Sequence, residues 1–157
     1  MAPFYGRHPD PLASETILSV LGLSRALVDH FATGMSRHDL SMSRFAVLVR
    51  LWQTDRERAP LNEIAEWCNV SPRDVTGLVD GLAAAGLVER VAQHNDRRVT
   101  LARLTPAGIR LVERVAAEHW ADQARLLAGV SETDRRTLID LCIRLGSRIT
   151  AVQQPTA

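Results

Sequence analysis

Three charged residues in a predicted tight turn, Asp96, Arg97 and Arg98, are the side chains best placed for chemistry. Alternating apolar and polar residues over 86–93 and 98–105 flank the turn and predict a two-stranded antiparallel ribbon. Such a ribbon can carry Arg98 into the minor groove of DNA, whose negative potential attracts a guanidinium. Asp96 can orient that guanidinium by a charge-assisted hydrogen bond. Alone, the triplet would be a solvated turn with a weak surface ion pair, so the elements before it decide the interpretation.

The helix predicted before the ribbon presents a polar face suited to DNA. Ser71 and Pro72 mark its start as an N-cap and a first-turn proline. Its apolar stripe has the spacing i, i+3, i+4, i+7 and consists of Val75, Leu78, Val79 and Leu82. Serine hydroxyls and helix N–H groups suit phosphates, arginine suits guanine or phosphate, and the threonine methyl suits thymine. The candidate DNA-binding residues of the helix are Ser71, Arg73, Asp74, Thr76 and Gly77.

A second helix, directly upstream, completes a helix-turn-helix. Pro60 is predicted in its first turn, after a charged loop over 54–59. Its stripe is Leu61, Ile64, Ala65 and Cys68. Asn69, which tolerates a left-handed backbone, is predicted to end it. Two helices joined by a three-residue corner are typical of this DNA-binding motif, so the ribbon becomes its wing.

The remaining periodicity predicts four more helices. After a loose arm over 1–12, the first begins at Ser14 and ends near Gly34, and Ser41 caps the second. A long helix follows Thr105, and a final one follows Ser131. The inward residues of the long helix are predicted to be Ile109, Val112, Ala116, Trp120 and Leu127. The predicted fold is mostly α: a six-helix winged helix-turn-helix with a small two- or three-stranded antiparallel wing.

Composition narrows the class of protein. A chain of 157 residues with 46% hydrophobic residues has the size of a single domain, 1–157. No apolar run approaches the roughly 20 residues of a membrane span and no signal peptide is visible, so we expect a cytoplasmic protein with no membrane partner. Residues 71–103 carry five arginines against four acids, which favours a few defined contacts over a strongly basic surface. No catalytic constellation, cofactor motif or metal-ligand cluster is apparent, so we expect no enzyme activity and no cofactor.

The motifs together resemble the MarR family of bacterial transcriptional regulators. The resemblance covers about residues 15–148 and is most specific from the wing into the next helix. The segments that carry it are Ser41 to Leu51, Glu63-Ile64-Ala65, Val70-Ser71-Pro72, Val75 to Asp80, Gly86 to Arg90, Asp96-Arg97-Arg98 and Leu104 to Gly108.

The resemblance implies a homodimer that binds a near-palindromic operator in double-stranded DNA, most commonly as a repressor. It implies a DNA-binding lobe at 41–104 and dimerisation helices at 13–35 and 106–150. Arg98 then corresponds to the family's minor-groove arginine and Asp96 to its orienting acid. Gly77 and Gly81 depart from the family, which often has arginine at both positions. Independently, the terminal helices carry more apolar residues than one winged helix can cover, which is typical of an interface.

The resemblance also implies a small effector, often aromatic and anionic, that releases the protein from DNA. The candidate pocket residues are His30, His38, Phe45 and Trp52. Alternatively, Phe45 and Trp52 belong to the core and the histidines to the surface. Cys68 and Cys142 lie in apolar helical patterns and are expected to be inert core residues.

A different class of function stays open. The acids at Asp74 and Asp80 and the glycines at Gly77 and Gly81 would also fit a winged-helix protein-interaction module or antirepressor that has lost DNA binding. Selection of a palindrome from random duplexes would exclude this alternative.

Overall fold

The computed structural model describes residues 10–54, 58–92 and 100–153, which form six helices and one three-stranded sheet. The mostly α winged-helix fold predicted from the sequence is thereby confirmed. In chain order the elements are α1 (Pro11–Ser36), α2 (Met42–Trp52), β1 (Arg58–Pro60), α3 (Leu61–Cys68), α4 (Pro72–Ala84), β2 (Val88–Ala92), β3 (Thr100–Leu104), α5 (Pro106–Leu126) and α6 (Glu132–Gln153).

Helix α1 is longer at both ends than the sequence pattern predicted. It begins at Pro11 because Asp10 caps it, with Asp10 Oδ1 accepting the Ala13 N–H at 2.9 Å. The predicted start at Ser14 was therefore wrong by three residues, since the Asp-Pro pair is itself a cap followed by a first-turn proline. The helix also continues past Gly34 to Ser36.

The sheet has the strand order β1-β3-β2, and all pairs are antiparallel. The register places Val88 opposite Leu104 and Arg58 opposite Arg103. Strand β1 overlaps the predicted loop over 54–59, and Pro60 is the extended N-cap of α3 instead of a residue of its first turn. Both corrections have one cause: a three-residue strand gains its hydrogen-bonded ladder from a partner 41 to 45 residues away, which local patterns do not show.

The helix-turn-helix forms as the sequence predicted. Asn69 ends α3 with φ 51° and ψ 49°, in the left-handed region, and Ser71 caps α4. Residues of α2, α3, α4 and the first half of α5 share one core with the sheet. Its fully buried large side chains are Val47, Leu48, Leu51, Ile64, Val75, Val79, Leu82, Val112 and Val115.

A tight junction joins the end of α4 to the start of α5. Gly86 has φ 72°, which turns the chain from α4 toward β2. Thr105 accepts the Gly108 N–H at 3.1 Å and donates its hydroxyl to the Gly86 carbonyl at 2.7 Å. A Cβ on Gly108 would overlap the Leu87 carbonyl oxygen, so the backbones meet too closely for any larger residue.

The terminal helices contrast with this core. The chain divides into two compact units, Met1–His119 and Trp120–Ala157, which are described separately. In the second unit, α6 has no buried residue. Trp120 and Leu127, predicted to face inward, are exposed in the single chain, at 48% and 38%. Helix α1 is the only helix within the described ranges that is long and apolar enough to span a membrane, which by itself is weak evidence for a span.

Candidate nucleic-acid interface

The first turn of α4 is stabilised by a reciprocal contact between Ser71 and Asp74. Ser71 Oγ accepts the Asp74 N–H at 3.2 Å and donates its own proton to Asp74 Oδ2 at 2.6 Å. Asp74 is also favourable at the positive end of the helix. Because the hydroxyl proton is already donated, Ser71 holds the helix start in this geometry and has no proton left to donate to a phosphate.

The next residues of α4 supply the contacts that DNA can use. Arg73 is exposed, and no hydrogen bond or ion pair joins its side chain to any other described residue. The Thr76 hydroxyl donates to the Pro72 carbonyl at 2.9 Å. The exposed Thr76 therefore retains its methyl group and oxygen lone pairs for a neighbour. Gly77 is exposed as well, and a Cβ built there would have no neighbour within 4 Å.

Two acids that would repel phosphates are neutralised by arginines of the sheet. Asp80 of α4 accepts from Arg90 of β2 at 2.6 Å, and Glu89 accepts from Arg103 across the β2–β3 ladder at 2.6 Å. These two ion pairs contain four of the nine charged residues of segment 71–103, and the four charges offset one another within the protein. Asp80 therefore ties the helix to the sheet, and its repulsion of DNA is reduced.

The side chain of Arg44 in α2 lies against Gly81 of α4. A Cβ built on Gly81 would lie 2.5 Å from Nη2 and 3.1 Å from Cζ of Arg44, in the first turn of α2. Arg44 was not predicted as a site residue, because nothing in the sequence of its own helix marks it. The signal that could have indicated it is a helix-interior glycine, which costs about 1 kcal/mol relative to alanine and needs a reason.

The wing is described only at its base. Strands β2 and β3 confirm the predicted ribbon and direct the chain into and out of the connection between them. Asp96, Arg97 and Arg98 lie outside the described residues. Their assignment to the minor groove therefore stays a prediction.

Two of the four candidate pocket residues, His30 and Phe45, belong to an aromatic cluster of the first unit. Rings of His30 and Phe31 are 5.4 Å apart, those of Phe31 and His119 4.7 Å, and those of Phe45 and His119 5.4 Å, all edge to face. Phe45 is buried, as the core alternative required. His119, which the sequence did not indicate for this cluster, contacts both Phe31 and Phe45.

The other two candidates are placed differently. His38 is mostly buried and lies 2.8 Å from Glu118 through its Nε2 atom, which fastens the α1–α2 connection to α5. Trp52 is half-buried at the last residue of α2, two turns from Phe45. No three His, Cys, Asp or Glu residues of the described ranges are grouped as a metal site.

The two cysteines have different surroundings. Cys68, at the end of α3, is half-buried, and this burial raises the pKa of its thiol, while the charge of Arg50 partly offsets the increase. Cys142 is exposed on α6 in the single chain, so the expected core position was wrong for this residue: its helix buries no residue. The raised pKa of Cys68 disfavours the thiolate, which agrees with the expectation of an inert residue.

Comparison with known proteins gives one consistent answer. Residues 40–100 match the family model described as "MarR family". The chain is 30% identical over 125 residues to the HTH-type transcriptional repressor MdtR of Bacillus subtilis, a match that covers 80% of this chain and 79% of that protein.

Solved structures share the fold. AbsC, a MarR family transcriptional regulator from Streptomyces coelicolor, superposes with a TM-score of 0.83 at 21% identity, over 94% of this chain and 99% of that one. Sco3205, from the same organism and solved in complex with DNA, superposes with a TM-score of 0.82 at 20% identity, over 96% and 94% of the two chains.

Proposed function

Since the chain belongs to the MarR family of transcriptional regulators, we propose that it binds a near-palindromic operator in double-stranded DNA as a homodimer and represses transcription. The observation that carries this proposal is the exposed face of α4, on which Arg73, Thr76 and Gly77 are accessible on a helix fixed at both ends. The Ser71–Asp74 cap holds its start, and the Asp80–Arg90 pair holds its later turns. Rigid presentation of few contacts suits a nearly neutral DNA-binding segment.

Each lobe is proposed to contact two grooves. The N-terminal end of α4 enters the major groove, where Arg73 contacts a guanine edge or a phosphate and the Thr76 methyl group suits thymine. The wing carries Arg98 to the adjacent minor groove, with Asp96 as its orienting acid and Arg97 beside it. Ser71, Asp74 and Gly77 support this contact: the first two fix the start of the helix, and the glycine permits close approach of the DNA backbone.

Dimerisation is supported by the apolar surface that a single chain leaves exposed. On α1, Leu18, Leu21 and Val28 are each about 60% exposed, and on α6 Leu138 and Leu141 are about half exposed. Exposed surfaces of this extent are typical of interfaces. We assign residues 41–104 to the DNA-binding lobe and residues 13–35 and 106–150 to dimerisation. In this assignment the protein is cytoplasmic, and the apolar residues of α1 contact a partner chain.

Two further observations support repression of transcription and its release by an effector. The relative MdtR is named a transcriptional repressor. The aromatic cluster around Phe31, Phe45 and His119 lies where α1, α2 and α5 approach each other, so an aromatic effector bound there would change their packing. We propose His30 and His38 as the groups that contact an anionic effector, with Trp52 at the far end of α2. The function needs no cofactor and no catalytic step.

The test is a titration of the operator recovered by selection from random duplexes. Arg98→Ala is expected to raise Kd by at least about tenfold, because a charge-assisted contact contributes about 1.5–3 kcal/mol and is present in both lobes. Arg37→Ala, at the exposed C-cap of α1 and outside both the DNA-binding lobe and the dimerisation helices, is the matched control for loss of one positive charge and should leave Kd nearly unchanged. If Arg98→Ala binds as tightly as the parent, the minor-groove assignment is wrong. If selection returns no palindrome, the protein is an interaction module instead.

A further inference from the structure

The guanidinium of Arg44 lies against a different helix from its own. Arg44 belongs to the first turn of α2, but its Nη2, Cζ and Nε atoms lie 2.5, 3.1 and 3.3 Å from the position that a Cβ of Gly81 would occupy. Any side chain at position 81 would displace the guanidinium. Gly81 therefore admits a cation from α2 to the edge of α4.

This guanidinium has no acceptor within residues 10–54, 58–92 and 100–153. The Arg44 side chain makes no hydrogen bond or ion pair there, although its backbone N–H donates to Ser41 Oγ at 3.2 Å. Arg90 and Arg103, by contrast, each bind a carboxylate at 2.6 Å. No buried side-chain nitrogen or oxygen of the described residues lacks a partner, so the unpaired nitrogens of Arg44 are reached by solvent and its N–H donors are open to an anion. The position of Arg44 at the positive end of α2 also favours an anion.

The guanidinium of Arg44 lies beside α4 at the point where a phosphate at the edge of the major groove is expected. Arg73, Gly77 and Gly81 follow one another at intervals of four residues, in a row that turns slowly from the exposed face of α4 toward α2. Eight residues of helix span about 12 Å, which is close to the width of the major groove, about 12 Å. When the N-terminal residues of α4 contact bases, a cation two turns later lies near the edge of the groove.

We propose that Arg44 contacts a DNA phosphate, and that Gly81 is required because it admits the Arg44 guanidinium to the DNA-binding face. This inference rests on the proposed DNA-binding function and adds a residue from outside the helix-turn-helix to it. It also gives a role to one of the two glycines that depart from the family pattern. The competing explanation is that Gly81 lets the DNA backbone approach α4 itself.

The test measures the Kd of the full chain for the selected operator and for a random duplex. Salt is varied between about 0.05 and 0.2 M, a range over which phosphate contacts strongly change the affinity. Arg44→Ala is expected to raise Kd by at least about tenfold on both duplexes and to lower the salt slope by about 0.9 for each phosphate that Arg44 no longer neutralises. Arg50→Ala, which removes the same charge from the other end of α2, should leave the slope unchanged. Arg44→Lys should keep most of it.

Gly81→Ala separates the two explanations and tests the inference even if Arg44→Ala fails to fold, because alanine favours the helix. In the parent it should weaken binding about as much as Arg44→Ala does, since the new methyl group displaces the guanidinium. In the Arg44→Ala background it should have no further effect. An equal loss in both backgrounds would overturn the role of Arg44 and favour close approach of the DNA backbone.

The remaining outcomes are also distinct. An unchanged Kd and slope for Arg44→Ala, with a parent that binds its operator, would overturn this inference alone. A parent that shows no sequence preference on any duplex would overturn the proposed function, and the inference with it.

Discussion

The DNA-binding lobe and helix α6 use apolar residues in opposite ways. In the lobe, α2, α3, α4 and the sheet enclose fully buried side chains such as Leu48, Ile64 and Val79. Over its 22 residues, α6 buries none, yet it carries Leu138, Leu141 and Ile149 at about half exposure. The core of the lobe is therefore complete within one chain, whereas the apolar surface of α6 stays exposed in the single chain, as the proposed dimer requires.

The largest expected effect comes from placing charges on α6. Leu138→Asp with Leu141→Asp should convert the dimer to a monomer, because two carboxylates cannot be buried without partners. Loss of the second lobe should raise the operator Kd by about 100-fold or more, the usual gain from two linked binding sites. Sedimentation and gel-shift titration measure the two effects. Ser147→Asp, on the opposite face of α6, is the control, and a dimer that survives the double substitution would contradict the interface.

A pair of identical substitutions tests the two regions directly. Leu48→Ala should lower the free energy of unfolding by about 2–5 kcal/mol, because it leaves a cavity in a closed core. Leu138→Ala should change it by no more than about 0.5 kcal/mol in the monomer, since the side chain is exposed there. Urea unfolding at concentrations below the dimer Kd measures both. Equal losses would show that α6 is part of the chain's own core.

Substitutions at the junction between α4 and α5 should destabilise the lobe more than substitutions on the DNA-facing surface of α4. Gly108→Ala is expected to lower the free energy of unfolding by about 1–3 kcal/mol, because the new methyl group overlaps the Leu87 carbonyl. Gly77→Ala should raise it by up to about 1 kcal/mol, since nothing lies within 4 Å and alanine favours the helix. Thermal unfolding without DNA checks both signs. A stabilising Gly108→Ala would mean that the junction is looser than described.

The smallest effect concerns the two thiols. Burial raises the pKa of Cys68, so at pH 8 less of it is thiolate, and alkylation should be slower than at the exposed Cys142. The Cys68 rate should still be rising at a pH where an ordinary thiol has levelled off. Arg50→Ala should shift that rise to still higher pH, because the charge that lowers the pKa is lost. Alkylation rates in the Cys142→Ser variant provide the measurement, and a rate that levels off early would contradict the burial of Cys68.

The elements that local sequence determines were predictable. The caps at Ser41 and Ser71 and the left-handed end at Asn69 depend on the residue and its immediate neighbours, and the structure confirms all three. The stripes of α3 and α4 were predictable because burial follows the helical period.

The features that the sequence did not predict depend on contacts between residues that are far apart in the chain. Strand β1 exists because it pairs with β3, and Trp120 is exposed although its helical spacing predicted that it faces the core. The contact between Arg44 and Gly81 joins residues 37 positions apart. For the site, local spacing therefore indicated α4 and the wing, and it did not indicate the residue from α2.

The most direct measurement of the central claim is selection of bound duplexes from a random pool by the full chain, followed by determination of the number of chains per duplex. The expected result is a near-palindrome with half-site centres one duplex turn apart, about 34 Å, bound by two chains. A sequence without two-fold symmetry, or one chain per duplex, would contradict a dimer that presents two copies of α4 and the wing to DNA.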